Sequence, residues 1–305
     1  MKIITDEHLK SFPMSLAIKA IESFFQSALQ GQVITPPRHT VKAGDGGLTF
    51  TIGAELGTTH TIGFRVYDTY PNEKGTDSDQ IVAVYSTNQS SLKGIVVGSS
   101  LGAIRTAAIN GYAINKLAKD NVKVACLIGA GHHAKYQLEA MLAVRKPSKI
   151  IICNRTSSKA EELANFISDQ YDLEVLTSEN IEQSVRHSDI VLCATSASSP
   201  VIQSSWIKEG AYVSSIGPKF KGRHELPADI SERASLITSD APEQLSSYAL
   251  PYFLDDISPI KPLESVRQTL NDNGYTVFLS SGRSGTEVVV ADRAIQYLSS
   301  NGLIV

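Results

Sequence analysis

Cysteine is scarce in this chain, with three among 305 residues. Cys126, Cys153 and Cys193 form no C-x-x-C pair, and each falls inside an apolar, strand-like run. They therefore read as small buried hydrophobes in a reducing compartment, neither a disulfide framework nor a zinc site. No apolar run approaches the roughly 18 residues a membrane-spanning helix needs. The opening MKIITDEHLKSF lacks the apolar core of a signal peptide, so a cytoplasmic protein is the expectation. Excess charge is missing too. A net charge of -3 and a pI near 6.2 give no basic surface for nucleic acid and none for a membrane. The seven histidines show no metal-ligand spacing: His132 and His133 are neighbours, the rest are scattered, and no metal is expected. No G-x-S-x-G elbow is present, which removes the commonest signature of a serine nucleophile.

What is present is the composition of a globular protein, 42% hydrophobic and 19% charged, with enough chain for one large or two ordinary domains. Apolar residues recur at helical spacing from Met14 to Ala28, with Pro13 in the first turn, Ser11 as a candidate cap and Gly31 as a stop. Short β-type runs follow, and IVAVYS and GIVVGS, separated by TNQSSLK, read as a hairpin. LGAIRTAAINGYAINKLA is a second long helix. After residue 120 strands and helices alternate. Strands are expected at Val122–Ile128, Lys149–Cys153, Asp189–Ala194, Ala211–Ser215, Ser235–Thr238 and Thr276–Leu279, with helices at Ala134–Val144 and Ser157–Gln170. Apolar runs with little alternation, spaced by helices, indicate a parallel sheet covered on both faces. TEVVVADRAIQYLSSNG closes the chain as an amphipathic helix stopped by Gly302. The fold class is α/β, a Rossmann-type doubly wound parallel sheet plus a mixed α+β domain. The expected boundaries are residues 1–113 with 287–305 for the mixed domain and 114–286 for the nucleotide domain.

The run Gly129-Ala130-Gly131-His132-His133-Ala134 joins a strand to a helix in the G-x-G-x-x-A form of the dinucleotide fingerprint. Gly129 permits the turn, Gly131 lets the backbone approach a pyrophosphate, and the helix start supplies donors and partial positive charge. Where an NAD enzyme would carry an acidic residue, at the end of the next strand, this chain has Asn154, Arg155 and Thr156, with Ser157, Ser158 and Lys159 behind. A guanidinium and hydroxyls suit a 2′-phosphate, so NADP is expected rather than NAD. Thr195 and Ser196, after the strand that closes with Ala194, stand where such folds border the nicotinamide.

The segments TPPRH, GFRVYDTYP, IRTAAINGYA, LIGAGHHA, CNRT and SSIGPKFKGRHEL occur in an order and spacing that resemble the ornithine cyclodeaminase/μ-crystallin family, from about residue 10 onward. The resemblance implies a substrate and dimerisation domain completed by a returning C-terminal helix, and hydride transfer between NAD(P) and the α-carbon of an amino or imino acid. It places substrate-carboxylate ligands at Arg38 and Arg105, with a third basic residue at Arg65. Gly217 of SSIG joins the cofactor set by the same resemblance. Arg65 stands where the family more often has lysine, and Lys219 stands where ornithine cyclodeaminases carry an aspartate. An ammonium cannot replace that carboxylate base, which argues against ornithine cyclisation. Lys219 could protonate an imine-derived nitrogen, bind a second acidic group, lie along the cofactor, or be a solvated loop lysine beside Lys221 and Arg223.

The reading that results is an NADPH-dependent reductase of small cyclic α-imino acids such as pyrroline-2-carboxylate or piperideine-2-carboxylate, giving the L-amino acid and working as a homodimer. Arg65 and Lys219 are its candidate catalytic residues. An amino-acid dehydrogenase, an amine/2-keto-acid condensing reductase, ornithine cyclodeaminase and a non-catalytic NADPH-dependent ligand binder are the alternatives. Further candidate contacts are His39 near the substrate and Ile52, Tyr67 or Tyr70 for specificity.

Overall fold

The computed structural model describes residues 2–70, 79–247, 250–266 and 273–304; Pro71, the last residue of the GFRVYDTYP segment, falls outside them. The chain divides into two compact units, Met1–Ile109 with Gly282–Val305, and Asn110–Ser281. The division falls inside the helix Ser100–Leu117.

The first unit is a seven-stranded sheet with helices Met14–Leu29 and Thr286–Ser300. Lys2–Ile4 pairs in parallel with Leu92–Gly98, and the hairpin partner Gln80–Ser86, then Thr61–Asp68 and Gly46–Glu55, continue antiparallel. Val33–Ile34 and His39–Ala43 both pair with Gly46–Glu55. Strand alternation sends two sets of side chains to opposite faces. On one face lie Gly53, Gly63, Val84 and Gly94 in cross-strand register. A Cβ on Gly53 would stand 2.3 Å from the Cα of Gly285, one on Gly63 3.1 Å from Val288, and one on Gly94 3.0 Å from Ile295. The missing side chains let the helix Thr286–Ser300 lie almost on the sheet backbone.

That helix was expected to be amphipathic. Val288, Ala291, Ile295 and Leu298 are buried and Arg293 and Gln296 exposed, as expected, but in the first half every residue from Thr286 to Asp292 is buried, because it is sandwiched between the sheet and Met14–Leu29. Its two buried charged residues are paired: Asp292 with Lys93, and Glu287 with Arg105. Met14–Leu29 buries Ile18, Ile21, Phe24 and Phe25 as its spacing requires, and Gly31 stops it at φ +71°. Ser11 is not its cap; Pro13 occupies that position with no side-chain bond.

The second unit is a sheet of eight parallel strands. Val124–Ile128 lies inside it. Lys149–Cys153 and then Glu174–Thr177 stand on one side. On the other come Ile190–Cys193, Tyr212–Ser215, Tyr275–Leu279, Ala234–Ser239 and Ile260–Pro262. The strand order reverses direction between Val124–Ile128 and Ile190–Cys193, which creates the crevice where doubly wound sheets bind ligands. The central strands are buried on both faces, hence their unbroken apolar sequences. All three cysteines belong to this core and are free. Glu174–Thr177 and Ile260–Pro262 were not foreseen, because the first is largely exposed and the second is three residues ending in proline. No helix among the described residues is long and apolar enough to cross a membrane.

Candidate functional site

In the second unit the apolar strand Val124–Ile128 ends at Gly129, whose φ of +108° and whose approach to Ala194 exclude a side chain: a Cβ would stand 2.4 Å from the Ala194 carbonyl oxygen. Its N–H donates to the Cys153 carbonyl at 2.8 Å. The Ala130 N–H donates to Asn154 Oδ1 at 3.1 Å, and Asn154 Nδ2 donates to the Thr156 carbonyl at 2.8 Å. Asn154 is thus the staple between the glycine loop and the end of the next strand. Helix His132–Val144 begins at Gly131 with no side-chain cap; the Ala134 N–H donates back to the Gly131 carbonyl at 3.0 Å, and the positive end of the helix dipole lies at the loop. A Cβ on Gly131 would meet no described atom within 4 Å, so this face of the loop is open to a ligand.

A cleft of about 890 Å³ opens at this point. Gly129, Ala130, Gly131, Asn154, Arg155, Thr156, Thr195 and Ser196 all line it. Arg155 and Lys159 are exposed at its wall, as is Glu179, beside the half-buried Ser178; the last two follow the strand Glu174–Thr177 and were missed with it. Two cations face one carboxylate there. The lining suits a dinucleotide: an open glycine, a helix start with no side-chain cap and two cations at the wall. His132, His133 and Ala134 lie just beyond the cleft; Ala134 is buried under the helix, and the two imidazoles meet edge to face at 5.6 Å.

Gly217 does not line the cleft but touches its base, where a Cβ would stand 2.5 Å from the Thr195 carbonyl oxygen. Lys219 follows on a short ribbon, Lys219–Phe220 against Arg223–His224. It is 7% exposed, which removes the solvated-lysine alternative, and its Nζ donates to the Gly217 carbonyl at 2.8 Å. Burial brings its ammonium down from the usual 10.5 to about 8, with Glu225, Asp240 and Cys193 pulling the other way. Glu225 and Asp240, both fully buried, were not singled out in the sequence.

In the first unit three arginines converge. Arg38 Nη2 donates to the Gly282 carbonyl at 2.7 Å. A Cβ on Gly282, at φ +76°, would stand 2.6 Å from Arg105 Nη1 and 3.0 Å from Arg38 Nη2, so both guanidinium groups reach one glycine. Arg105 is 5% exposed and lies 3.9 Å from Glu287. Arg65 stacks over Tyr67 at 4.2 Å, and burial, then Arg105, bring its guanidinium down to about 10, still protonated at neutral pH. Glu287 accepts a bond from Thr51. Burial would push its carboxyl up, yet Arg105 and Arg65, helped by Thr51, hold it below the usual range. The arginines come together because Arg65 shares a sheet face with Thr51, while Arg105 and Gly282 approach from the helix Ser100–Leu117 and the start of the closing segment. Arg105 and Arg65 face the carboxylate of Glu287, and Arg38 joins Arg105 at Gly282, a grouping of guanidinium donors suited to an anionic ligand.

Ile52 does not join this cluster: it is 50% exposed and, one residue from Thr51, points to the other face. His39 is exposed on an edge strand opposite Phe50, and Tyr70 is 46% exposed. Among the described residues no group of three or more His, Cys, Asp or Glu side chains could hold a metal.

Comparison with known proteins places this geometry. Residues 5–292 match the model of the ornithine cyclodeaminase/mu-crystallin family. A Delta(1)-pyrroline-2-carboxylate reductase of Bacillus cereus is 30% identical over 213 residues; the match covers 65% of this chain and 64% of that relative's length. The ketimine reductase mu-crystallin of Mus musculus is 25% identical over 296 residues, 93% of this chain and 92% of the mouse protein. The fold matches that of the Thermococcus litoralis Delta(1)-pyrroline-2-carboxylate reductase, solved with NADH and L-proline, at a TM-score of 0.87, with 23% identity and coverage of 99% and 98% of the two chains. With a glycine-loop cleft in one unit and an arginine cluster in the other, this chain belongs to the ornithine cyclodeaminase/mu-crystallin family.

Proposed function

We propose that this protein is an NADPH-dependent reductase of small cyclic α-imino acids, converting a ketimine carboxylate to the L-amino acid. The observation that carries the reading is the meeting of Arg38 and Arg105 at Gly282, with Arg65 stacked on Tyr67 nearby and Arg105 beside the buried Glu287, a cationic cluster that suits an α-carboxylate. Relatives described as pyrroline-2-carboxylate reductase and ketimine reductase support the substrate class. Arg38 and Arg105 hold the carboxylate, and Arg65, fixed by its stack on Tyr67, adds the third cation. Held there, the imino acid loses the freedom that makes encounter improbable in solution, and orientation contributes much of the rate. The reduced nicotinamide supplies a hydride to the C=N carbon. Lys219, protonated in part at neutral pH, donates the proton the nitrogen requires. Gly129–Ala134 cradles the pyrophosphate, Thr195, Ser196 and Gly217 border the nicotinamide, and Arg155 with Thr156 and Lys159 takes the 2′-phosphate.

The test is NADPH oxidation followed at the nicotinamide absorbance with pyrroline-2-carboxylate and piperideine-2-carboxylate, and with 2-keto acids plus amines, each repeated with NADH. Turnover of the cyclic ketimines with an NADPH preference is expected. Turnover only with keto acid plus amine would make it a condensing reductase. Tight NADPH binding with no turnover of any substrate would sink the catalytic reading.

The protein acts as a homodimer in this proposal. The sheet face of the first unit that turns away from the helices carries Ile3, Leu48, Ile52, Ile62, Ile81 and Tyr85, each 39–50% exposed. A monomer seldom leaves so many large apolar side chains on one face, and a second copy of the same sheet is the occupant that fits it. Ile81→Asp is expected to convert the dimer to a monomer in light scattering, whereas a wild-type protein that runs as a monomer would refute the assembly.

A further inference from the structure

We infer that Glu225 is the positioning residue of the site: its buried carboxylate ties together the two loops that border the nicotinamide and holds the N–H of Gly217, the residue whose carbonyl accepts from Lys219. The inference deepens the reductase reading and rests on it. Glu225 is fully buried and its carboxylate accepts from three donors at the ends of two neighbouring strands. Oε1 accepts the Thr195 N–H at 2.5 Å, from the residues after the strand Ile190–Cys193. Oε2 accepts the Ser215 hydroxyl at 2.7 Å and the Gly217 N–H at 2.9 Å, at the end of the strand Tyr212–Ser215. The Thr195 and Gly217 amides lie past the ends of their strands, where the ladder no longer provides partners, and one carboxylate satisfies both. The absent Gly217 side chain permits this, since a Cβ would stand 2.6 Å from Glu225 Oε2.

The link to Lys219 acts through charge. The groups that face Lys219 are Glu225, Asp240 and the thiol of Cys193. Burial alone would favour the neutral amine, which has no proton to give, and the adjacent carboxylates oppose it. A lysine that donates a proton is competent below its pKa and incompetent above it. Removing the Glu225 charge moves that boundary to lower pH, so the alkaline limb of the rate moves down.

The test is the pH profile of kcat for ketimine reduction by the intact protein, wild type against Glu225→Gln. The wild type should lose activity through about pH 8. The variant should lose it about one pH unit lower, a shift in the range for loss of one neighbouring opposite charge. Glu225→Asp, which keeps the charge, should bring the limb back toward its wild-type position. A purely architectural role would weaken NADPH binding and leave the limb where it was, and that result overturns the link from Glu225 to Lys219. A wild-type profile flat through pH 8 would instead remove Lys219 as the donor, and the reductase reading would need another proton source. Should Glu225→Gln fail to fold, amide hydrogen exchange on the wild type decides the first half. The Thr195 and Gly217 N–H groups are expected to be strongly protected, and exchange at loop rates would refute the tie.

Discussion

Arg105→Ala is expected to lower kcat/KM for a cyclic ketimine by about 100- to 1,000-fold, equivalent to about 3–4 kcal/mol. Arg105 is the most deeply buried of the three arginines on the residue's surface area, and it is the one closest to Glu287. Its removal takes away one half of the carboxylate clamp and also leaves Glu287 with fewer cations, so a substrate carboxylate would enter beside an imperfectly compensated anion. The loss should therefore appear in KM through weaker binding and in kcat through lost orientation. Arg105→Lys keeps the charge but not the two-pronged geometry and should fall between. Binding of NADPH, measured by its fluorescence, should be unchanged. Kinetics within about threefold of wild type would show that the arginine cluster does not hold the substrate.

The second large effect belongs to the other unit. Arg155→Ala is expected to reduce kcat/KM for NADPH by about 10- to 100-fold, the loss typical of a hydrogen bond to a charged group, and to leave NADH nearly untouched. The asymmetry is the point of the experiment, because only the 2′-phosphate distinguishes the two cofactors. Arg155 and Lys159 stand exposed at the wall of the cleft, with Glu179 opposing them. If the two cofactors decline together, Arg155 supports the loop and does not read the phosphate. If neither declines, the preference lies elsewhere in the cleft.

The features legible in the sequence were those that depend on local pattern. The glycine loop could be read because Gly129, Gly131 and Ala134 do their work within a few residues of one another. The parallel strands could be read because burial on both faces forces continuous apolar runs. Arg38, Arg65 and Arg105 came from resemblance to a family; nothing in their spacing shows that two of them meet at Gly282. Glu287 was hidden inside TEVVVADRA, where a charged residue at the start of a helix ordinarily reads as solvent-facing. It is buried because Gly53 and Gly63 let the sheet approach the helix so closely, which is a long-range condition. Glu225 was equally hidden, since its partners Thr195, Ser215 and Gly217 come from the ends of different strands. Asn154 was read as one of the cofactor set; that it also staples the loop is a role that two side-chain bonds reveal and a sequence cannot.

The glycine row beneath Thr286–Ser300 also has a kinetic meaning. Gly53 meets Gly285, and Gly63 meets Val288, across more than two-thirds of the chain. Contacts so remote in sequence carry the loop-closure entropy that slows folding. During synthesis the early strands emerge long before the helix that covers them, while the segment Asn110–Ser281 already contains all eight strands of its own sheet. The parallel sheet is thus built from one continuous stretch of chain, whereas the mixed sheet cannot close until its last segment returns. The helix that brings Glu287 to the arginines is also the last lid of that core, so closure of the first unit and assembly of its charge cluster are a single late event.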